Sequence, residues 1–210
     1  MVRPRSEEAH QKVLEAAAEL FAERGLDGTS MDAIAEASTV SKATIYKHWA
    51  DKDALCLEVL GYIHGLDEPR PAFLSEDFRA DLIAQLRYEP AVERKAMKEK
   101  IWPHLVAYSA RNPEFGRAWR AKIMEPARQG LICMVRRGEA EGLLNMKKVD
   151  PDSALAILLG PLIYRQVFIQ RLGGTVPPDL EAHIADAFLG AFGCGGLQNG
   201  NTRRRRRPKT

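Results

Sequence analysis

The apolar residues of this chain recur mostly at intervals of three and four, the period of a helix buried along one face. Val13, Leu14, Ala17, Leu20 and Phe21 share one face of a helix predicted from about Glu7 to Arg24. Gly25 supplies the left-handed position that ends it, and Leu26 can pack back. The pattern then shortens. Ser30 or Thr29 can cap a short helix over Met31–Ala37, and Thr29 with Asp32 three residues on is a weak capping box. Ser41 can cap another short helix over Lys42–Trp49. Asp51 or Asp53 opens the next, with Leu55, Val59, Tyr62 and Ile63 at helical spacing.

Longer helices follow. Ser75 can cap 76–88, closed by Pro90. Residues 93–111 read as a helix that Pro103 should kink or break. Asn112-Pro113 and Asp150-Pro151 are both cap-then-proline start signals, for helices to about Glu141 (with a break expected near Pro126) and about Leu172. Gly173-Gly174 ends the latter, and Pro177-Pro178 starts a last helix carrying Leu180, Ile184, Ala187, Phe188, Ala191 and Phe192. No period-two stretch of useful length intervenes. The expectation is an all-α fold of about nine helices, with disorder from Gly193 onward, where Gly, Asn and Arg dominate.

Two short helices joined by a tight turn, braced by longer helices, have the form of a helix-turn-helix. Ile34, Ala35, Val40, Ile45 and Trp49 would face inward. Lys42, Ala43, Thr44, Tyr46, Lys47 and His48 would then face outward, with two lysines and no acid among them. Small residues at 43 and 44 let the helix approach base edges, where a threonine methyl can meet a thymine methyl. Tyr46 and His48 can donate to phosphates, and Lys52 adds a point charge. The backbone N–H groups at Thr29–Asp32, Thr29 and Ser30 among them, would form a further phosphate site, because helix N-termini attract anions. A small bundle with a solvated lysine face would carry the same charges, so spacing alone leaves both readings open.

The residues themselves go further. Val13-Leu-Glu-Ala-Ala-Ala-Glu-Leu-Phe-Ala-Glu-Arg-Gly25, Thr29-Ser-Met-Asp-Ala-Ile-Ala-Glu-Ala37, Val40-Ser-Lys-Ala-Thr-Ile-Tyr-Lys-His-Trp49 and Asp51-Lys-Asp-Ala-Leu55 together resemble the DNA-binding domain of the tetracycline-repressor (TetR) family. The resemblance implies that 41–48 is the recognition helix and that Ser41, Lys42, Ala43, Thr44, Tyr46, Lys47 and His48 lie at the DNA, with Lys52 on a phosphate. Two positions depart from the pattern. Thr39 stands where the family usually has glycine, which costs turn stability if φ is positive there. Trp49 replaces the usual phenylalanine and should stay in the core.

The resemblance also implies a division into a DNA-binding domain at 1–52 and a larger ligand-binding and dimerisation domain at 53–193, and composition adds a disordered basic tail at 194–210. Leu159-Gly-Pro-Leu-Ile-Tyr-Arg165 is similar to a stretch in one C-terminal subgroup of the family. The helix around it is apolar nearly all round, with Leu155, Ile157, Leu158, Leu159, Leu162, Ile163, Val167 and Phe168, so it must be covered on several sides. Burial within the chain would do this. So would a homodimer interface made by 152–172 and 178–192, the arrangement the family implies, on a palindromic double-stranded DNA operator.

Charge supports only a local reading. The net charge is +3, but Arg203–Arg207 and Lys209 lie in the tail. Removing those six from the 31 basic residues leaves 25 against 28 acidic ones. Tyr62, Met97, Trp102, Tyr108, Phe115, Trp119, Met124 and Met134 on the middle helices are either plain core or the lining of a pocket for a largely apolar effector. Three distant cysteines suit a reducing cytoplasm better than a disulfide scaffold. The charged start and a longest uncharged helical stretch of 12 residues, Ser153–Tyr164, predict neither a secretory signal nor a membrane span. No metal-ligand spacing, cofactor motif or catalytic constellation is present in the sequence. The expectation is a ligand-released repressor. A constitutive DNA-binding protein and an all-helical enzyme remain as other classes.

Overall fold

The computed structural model describes residues 4–89, 91–169, 172–175 and 178–194. Pro90, Pro177 and the tail beyond Cys194, on which three of the expectations fell, lie outside them. Ten α-helical segments are present among the described residues: α1 Pro4–Arg24, α2 Met31–Ser38, α3 Lys42–His48, α4 Lys52–Ile63, α5 Phe78–Arg87, α6 Lys95–Arg111, α7 Pro113–Trp119, α8 Glu125–Ala140, α9 Pro151–Tyr164 and α10 Leu180–Phe192. The π-helical turn Arg120–Met124 joins α7 to α8 without a non-helical residue between them. The single pairing of extended backbone among the described residues is a bridge between Leu144 and Gly193.

The helix starts follow from capping chemistry. The Ser30 hydroxyl accepts the Ala33 N–H (3.1 Å), that of Ser41 the Thr44 N–H (3.2 Å), and the Asp51 carboxylate the Ala54 N–H (2.7 Å). Each satisfies a donor that the first helical turn leaves unpaired. Gly25 ends α1 at φ 71°, as its position suggested. Four details differ from the sequence reading. Asp77, and not Ser75, caps α5: its carboxylate accepts the Ala80 N–H (3.0 Å), while Ser75 gives both its N–H (2.9 Å) and its hydroxyl (2.7 Å) to the carboxylate of Asp81. Pro103 sits inside α6 without ending it. Pro126 does not break the helical run: it follows directly on the π turn, whose wider winding accommodates a ring without an N–H. The last helix begins at Leu180, after Asp179 takes the left-handed conformation at φ 61°.

The chain packs as two compact units. The first contains the described residues up to Pro71 and those from Glu89 to Ala127. Its core is built on Phe21, Leu26, Ile34, Ile45, Leu55, Leu60, Ile63, Ile101 and Leu105, with α1 lying against α2, α4 and α6. The second contains Ala72–Tyr88 and the described residues from Arg128 onward. Its core is Phe78, Leu82, Leu158, Ala185 and Phe188, with α10 against α5 and α9. One charged pair is held inside this second unit. Asp81 is buried and accepts from Arg137 at 2.6 Å. Burial alone would raise its pKa, but the Ser75 and Arg137 hydrogen bonds outweigh it and lower the value.

A second π turn, Arg165–Ile169, extends α9. The helical run Pro151–Ile169 is therefore 19 residues, longer than the 12-residue uncharged stretch suggested, and by length and composition it could cross a membrane. In the second unit it buries Ala154, Leu155 and Leu158. Ile157, Ile163, Tyr164 and Phe168 remain exposed.

Candidate nucleic-acid interface

The turn between α2 and α3 forces the two helices to cross. Thr39 adopts φ 57°, ψ 21°, and its N–H returns to Glu36 O at 3.2 Å. Ile34 and Ile45 are fully buried and Val40 packs beside them in the core of the first unit, with α2 against α1 and α3 against α2. The outer face of α3 follows by elimination. Ser41, Lys42, Ala43, Tyr46, Lys47 and His48 are exposed, and Thr44 is half-buried. A short helix projecting two lysines, an exposed tyrosine and small residues near its N-terminus can enter a major groove and meet base edges.

Several predicted contact residues also work inside the protein. Thr29 is buried, and its hydroxyl donates to Gly25 O (2.8 Å) and Leu20 O (3.2 Å), pinning the α1–α2 connection. Lys52 donates to Leu26 O and, at 3.0 Å, to Thr29 O, so its ammonium sits beside the start of α2. Lys42 pairs with Asp32 at 2.7 Å across the two short helices. The Ser41 and Thr44 hydroxyls are 2.9 Å apart at the α3 cap.

The close of α3 holds a group that the sequence reading missed. Trp49 is 3% exposed, and its indole N–H donates to one carboxylate oxygen of Glu58 at 2.7 Å. The other oxygen of Glu58 lies 2.5 Å from His10 Nε2. The His10 ring stacks on Trp49 at 4.6 Å between centroids, and His48 meets His10 edge-on at 5.4 Å. The one available signal was Trp49 itself, since an indole where the family has a phenylalanine brings an N–H that must find an acceptor.

The residues proposed for an effector pocket divide. Tyr62, Met97, Trp102, Tyr108, Phe115, Trp119 and Met124 all belong to the first unit. Met134 is in the core of the second and does not join them. Trp102 and Trp119 meet edge to face at 5.3 Å, Tyr108 and Phe115 at 5.0 Å. The indole N–H groups of both tryptophans are buried without a hydrogen-bond partner among the described residues. Tyr62 and Met97 line a cleft of about 260 Å³ together with Glu15, Glu19, Glu93 and Arg94. The Tyr108 hydroxyl donates to Asp53 at 2.8 Å, in the first turn of α4. Burial and then the Asp53 hydrogen bond push the Tyr108 pKa up, so the phenol stays protonated and keeps this link. At the other end of α4, burial, Lys98 and Arg70 hold the cap residue His64 down to about 4.

Known proteins share this organisation. Residues 13–59 match the family described as bacterial regulatory proteins, tetR family, and residues 75–188 match the tetracyclin repressor-like C-terminal domain. The uncharacterized HTH-type transcriptional regulator YdeS of Bacillus subtilis is 28% identical over 192 residues, covering 90% of this chain and 91% of YdeS. The biofilm operon icaADBC HTH-type negative transcriptional regulator IcaR of Staphylococcus aureus is 23% identical, covering 78% of this chain and 87% of IcaR. Among solved structures, a TetR-family regulator from Mesorhizobium loti superposes with a TM-score of 0.64 at 24% identity, over 91% of this chain and all of that one. The flavonoid-responsive regulator FrrA superposes with a TM-score of 0.63 at 24% identity, over 89% and 98% of the two chains.

Proposed function

The chain belongs to the TetR family of bacterial transcriptional regulators, and from that premise we propose that it is a homodimeric repressor released from a palindromic operator by a small molecule. The observation that carries the DNA reading is the outer face of α3, held at fixed aim by Ile34, Ile45 and Trp49, with Lys42, Tyr46, Lys47 and His48 all exposed. In this reading Thr44 and Lys47 reach base edges. Ser41, Tyr46, His48 and Lys52 contact the backbone with the help of Thr29 and Ser30, and Lys42 and Ala43 line the approach. Residues 1–52 then act as the reading head and 53–193 as the ligand-binding and dimerisation part.

Dimerisation is supported by α9, whose exposed Ile157, Ile163, Tyr164 and Phe168 form an apolar face. In a cytoplasmic regulator a second copy, and not a membrane, covers that face. Effector release is supported by the paired tryptophans. A ligand with an apolar or aromatic body and at least one hydrogen-bond acceptor would satisfy the unpartnered indole N–H groups. The π turn that follows Trp119 packs against α4, and α4 starts three residues after Trp49. A ligand wedged there can tilt α4 and move the heads out of register. DNA must then weaken ligand binding by the same factor. FrrA is one example of this fold answering to a small molecule.

Selection of bound duplexes from a random pool tests the proposal. The expected site is two-fold symmetric, carries two chains, and has half-site centres about one turn (roughly 34–36 Å) or a multiple apart. An asymmetric site bound by one chain would overturn the dimeric reading.

A further inference from the structure

Glu58 lies on α4, outside the residues proposed to meet DNA, and it is half-exposed. Nothing about an exposed glutamate at that place requires two specific partners. It has them: Trp49, which closes α3, and His10, on α1, each on its own carboxylate oxygen. One side chain therefore fastens α1, α3 and α4 together at the C-terminal end of α3. The stack of His10 on Trp49 fills the space between the two anchored groups and leaves them little freedom to slide.

We infer that Glu58 is a positioning residue for DNA recognition, setting the pose of α3 through the Trp49 indole N–H and carrying any tilt of α4 directly to that helix. The inference rests on the reading of α3 as the recognition helix. Its physical basis is the burial of Trp49. With that ring fixed in the core, the N–H has one direction, and α3 can keep the bond only in one orientation relative to α4. A hydrogen bond to a charged acceptor is also worth more than a neutral one. Trp49 in place of phenylalanine thus adds a directional tie where the family's usual residue offers only packing.

The test compares Glu58→Ala with Glu58→Gln. Both remove the charge, so both change the long-range attraction to DNA alike, but the amide of the second keeps an acceptor for the indole. The probes are the duplex selected by the wild-type protein and a scrambled duplex of the same length and composition. Glu58→Ala should lower the preference for the selected duplex by about tenfold, the weight of one charged hydrogen bond. Glu58→Gln should retain most of that preference. Trp49→Phe keeps an aromatic core residue and removes only the N–H, and it should reproduce the Glu58→Ala loss. Adding Glu58→Ala to Trp49→Phe should then cost nothing more, because both delete the same bond. Equal preference in Glu58→Ala and Glu58→Gln would overturn the inference, and so would additive losses in the double variant. If the wild-type protein selects no sequence at all, it is the recognition-helix reading that fails instead.

Discussion

Helices α4 and α9 start from nearly the same sequence character and end in different circumstances. Each is apolar on several faces, and each begins from an aspartate whose carboxylate accepts a backbone N–H three residues on, Asp51 to Ala54 and Asp150 to Ser153. In α4, Leu55, Cys56, Leu57, Val59, Leu60 and Ile63 are all buried within the first unit. In α9 only Ala154, Leu155 and Leu158 are, while Ile157 is 42% and Tyr164 59% exposed. The comparison teaches that an all-round apolar helix announces a need for cover without saying who supplies it. Helix α4 is covered by its own chain. Helix α9 leaves Ile157, Ile163, Tyr164 and Phe168 uncovered by its own chain.

Three measurements sharpen or break this contrast. The largest effect should come from deleting side chains on each helix. Leu60→Ala should destabilise the protein by about 2–5 kcal/mol, since the cavity it leaves is enclosed. Ile163→Ala should change the stability of the isolated chain by less than about 0.5 kcal/mol, as surface substitutions do, and should instead weaken self-association. Chemical denaturation at low protein concentration, paired with sedimentation, reads both. Equal losses of chain stability would dissolve the distinction.

Acid provides the second measurement, because α4 is closed by a titratable residue. His64 is held to about 4, against an ordinary 6.5, so the folded chain refuses a proton that the unfolded chain accepts. Its contribution is complete above pH 6.5 and is lost as the pH falls toward 4, by up to roughly 3 kcal/mol. His64→Gln should flatten the denaturation midpoint over that window. An unchanged pH profile in the variant would place the acid sensitivity elsewhere.

The smallest effect concerns how α4 starts. Asp51→Ala should cost about 1 kcal/mol, the value of one cap. A loss as large as that of Leu60→Ala would assign the stability of α4 to its end and not to its buried faces.

Much of this was legible in the sequence because its causes are local. Ser30, Ser41, Asp51 and Asp150 cap the helices that follow them, since capping depends on a few adjacent residues. Thr39 was flagged by a missing glycine, and it does take the left-handed conformation. What escaped depends on partners far along the chain. Ser75 has the chemistry of a cap, but its N–H and hydroxyl are anchored on the carboxylate of Asp81, buried and shared with Arg137, and the helix starts two residues later from Asp77. The π turns at Arg120–Met124 and Arg165–Ile169 leave no compositional trace, because one extra residue per turn changes the period too briefly to see. The bonds of Glu58 to His10 and of Tyr108 to Asp53 join residues 48 and 55 positions apart, and nothing in the local pattern distinguishes Glu58 from a solvated helix face. By type and spacing Met134 belongs with the aromatic residues, whereas the chain folds it into the other unit.

The distribution of tryptophan has an optical consequence. All three tryptophans, at 49, 102 and 119, belong to the first unit, and the second has none. Intrinsic emission excited at the red edge therefore watches one half of the protein, while far-ultraviolet dichroism watches every helix in both. Superposed denaturation curves from the two signals would mark a single cooperative transition. Where they separate, the emission curve belongs to the reading head and its neighbouring helices alone, and the native protein reports on its own cooperativity without a label.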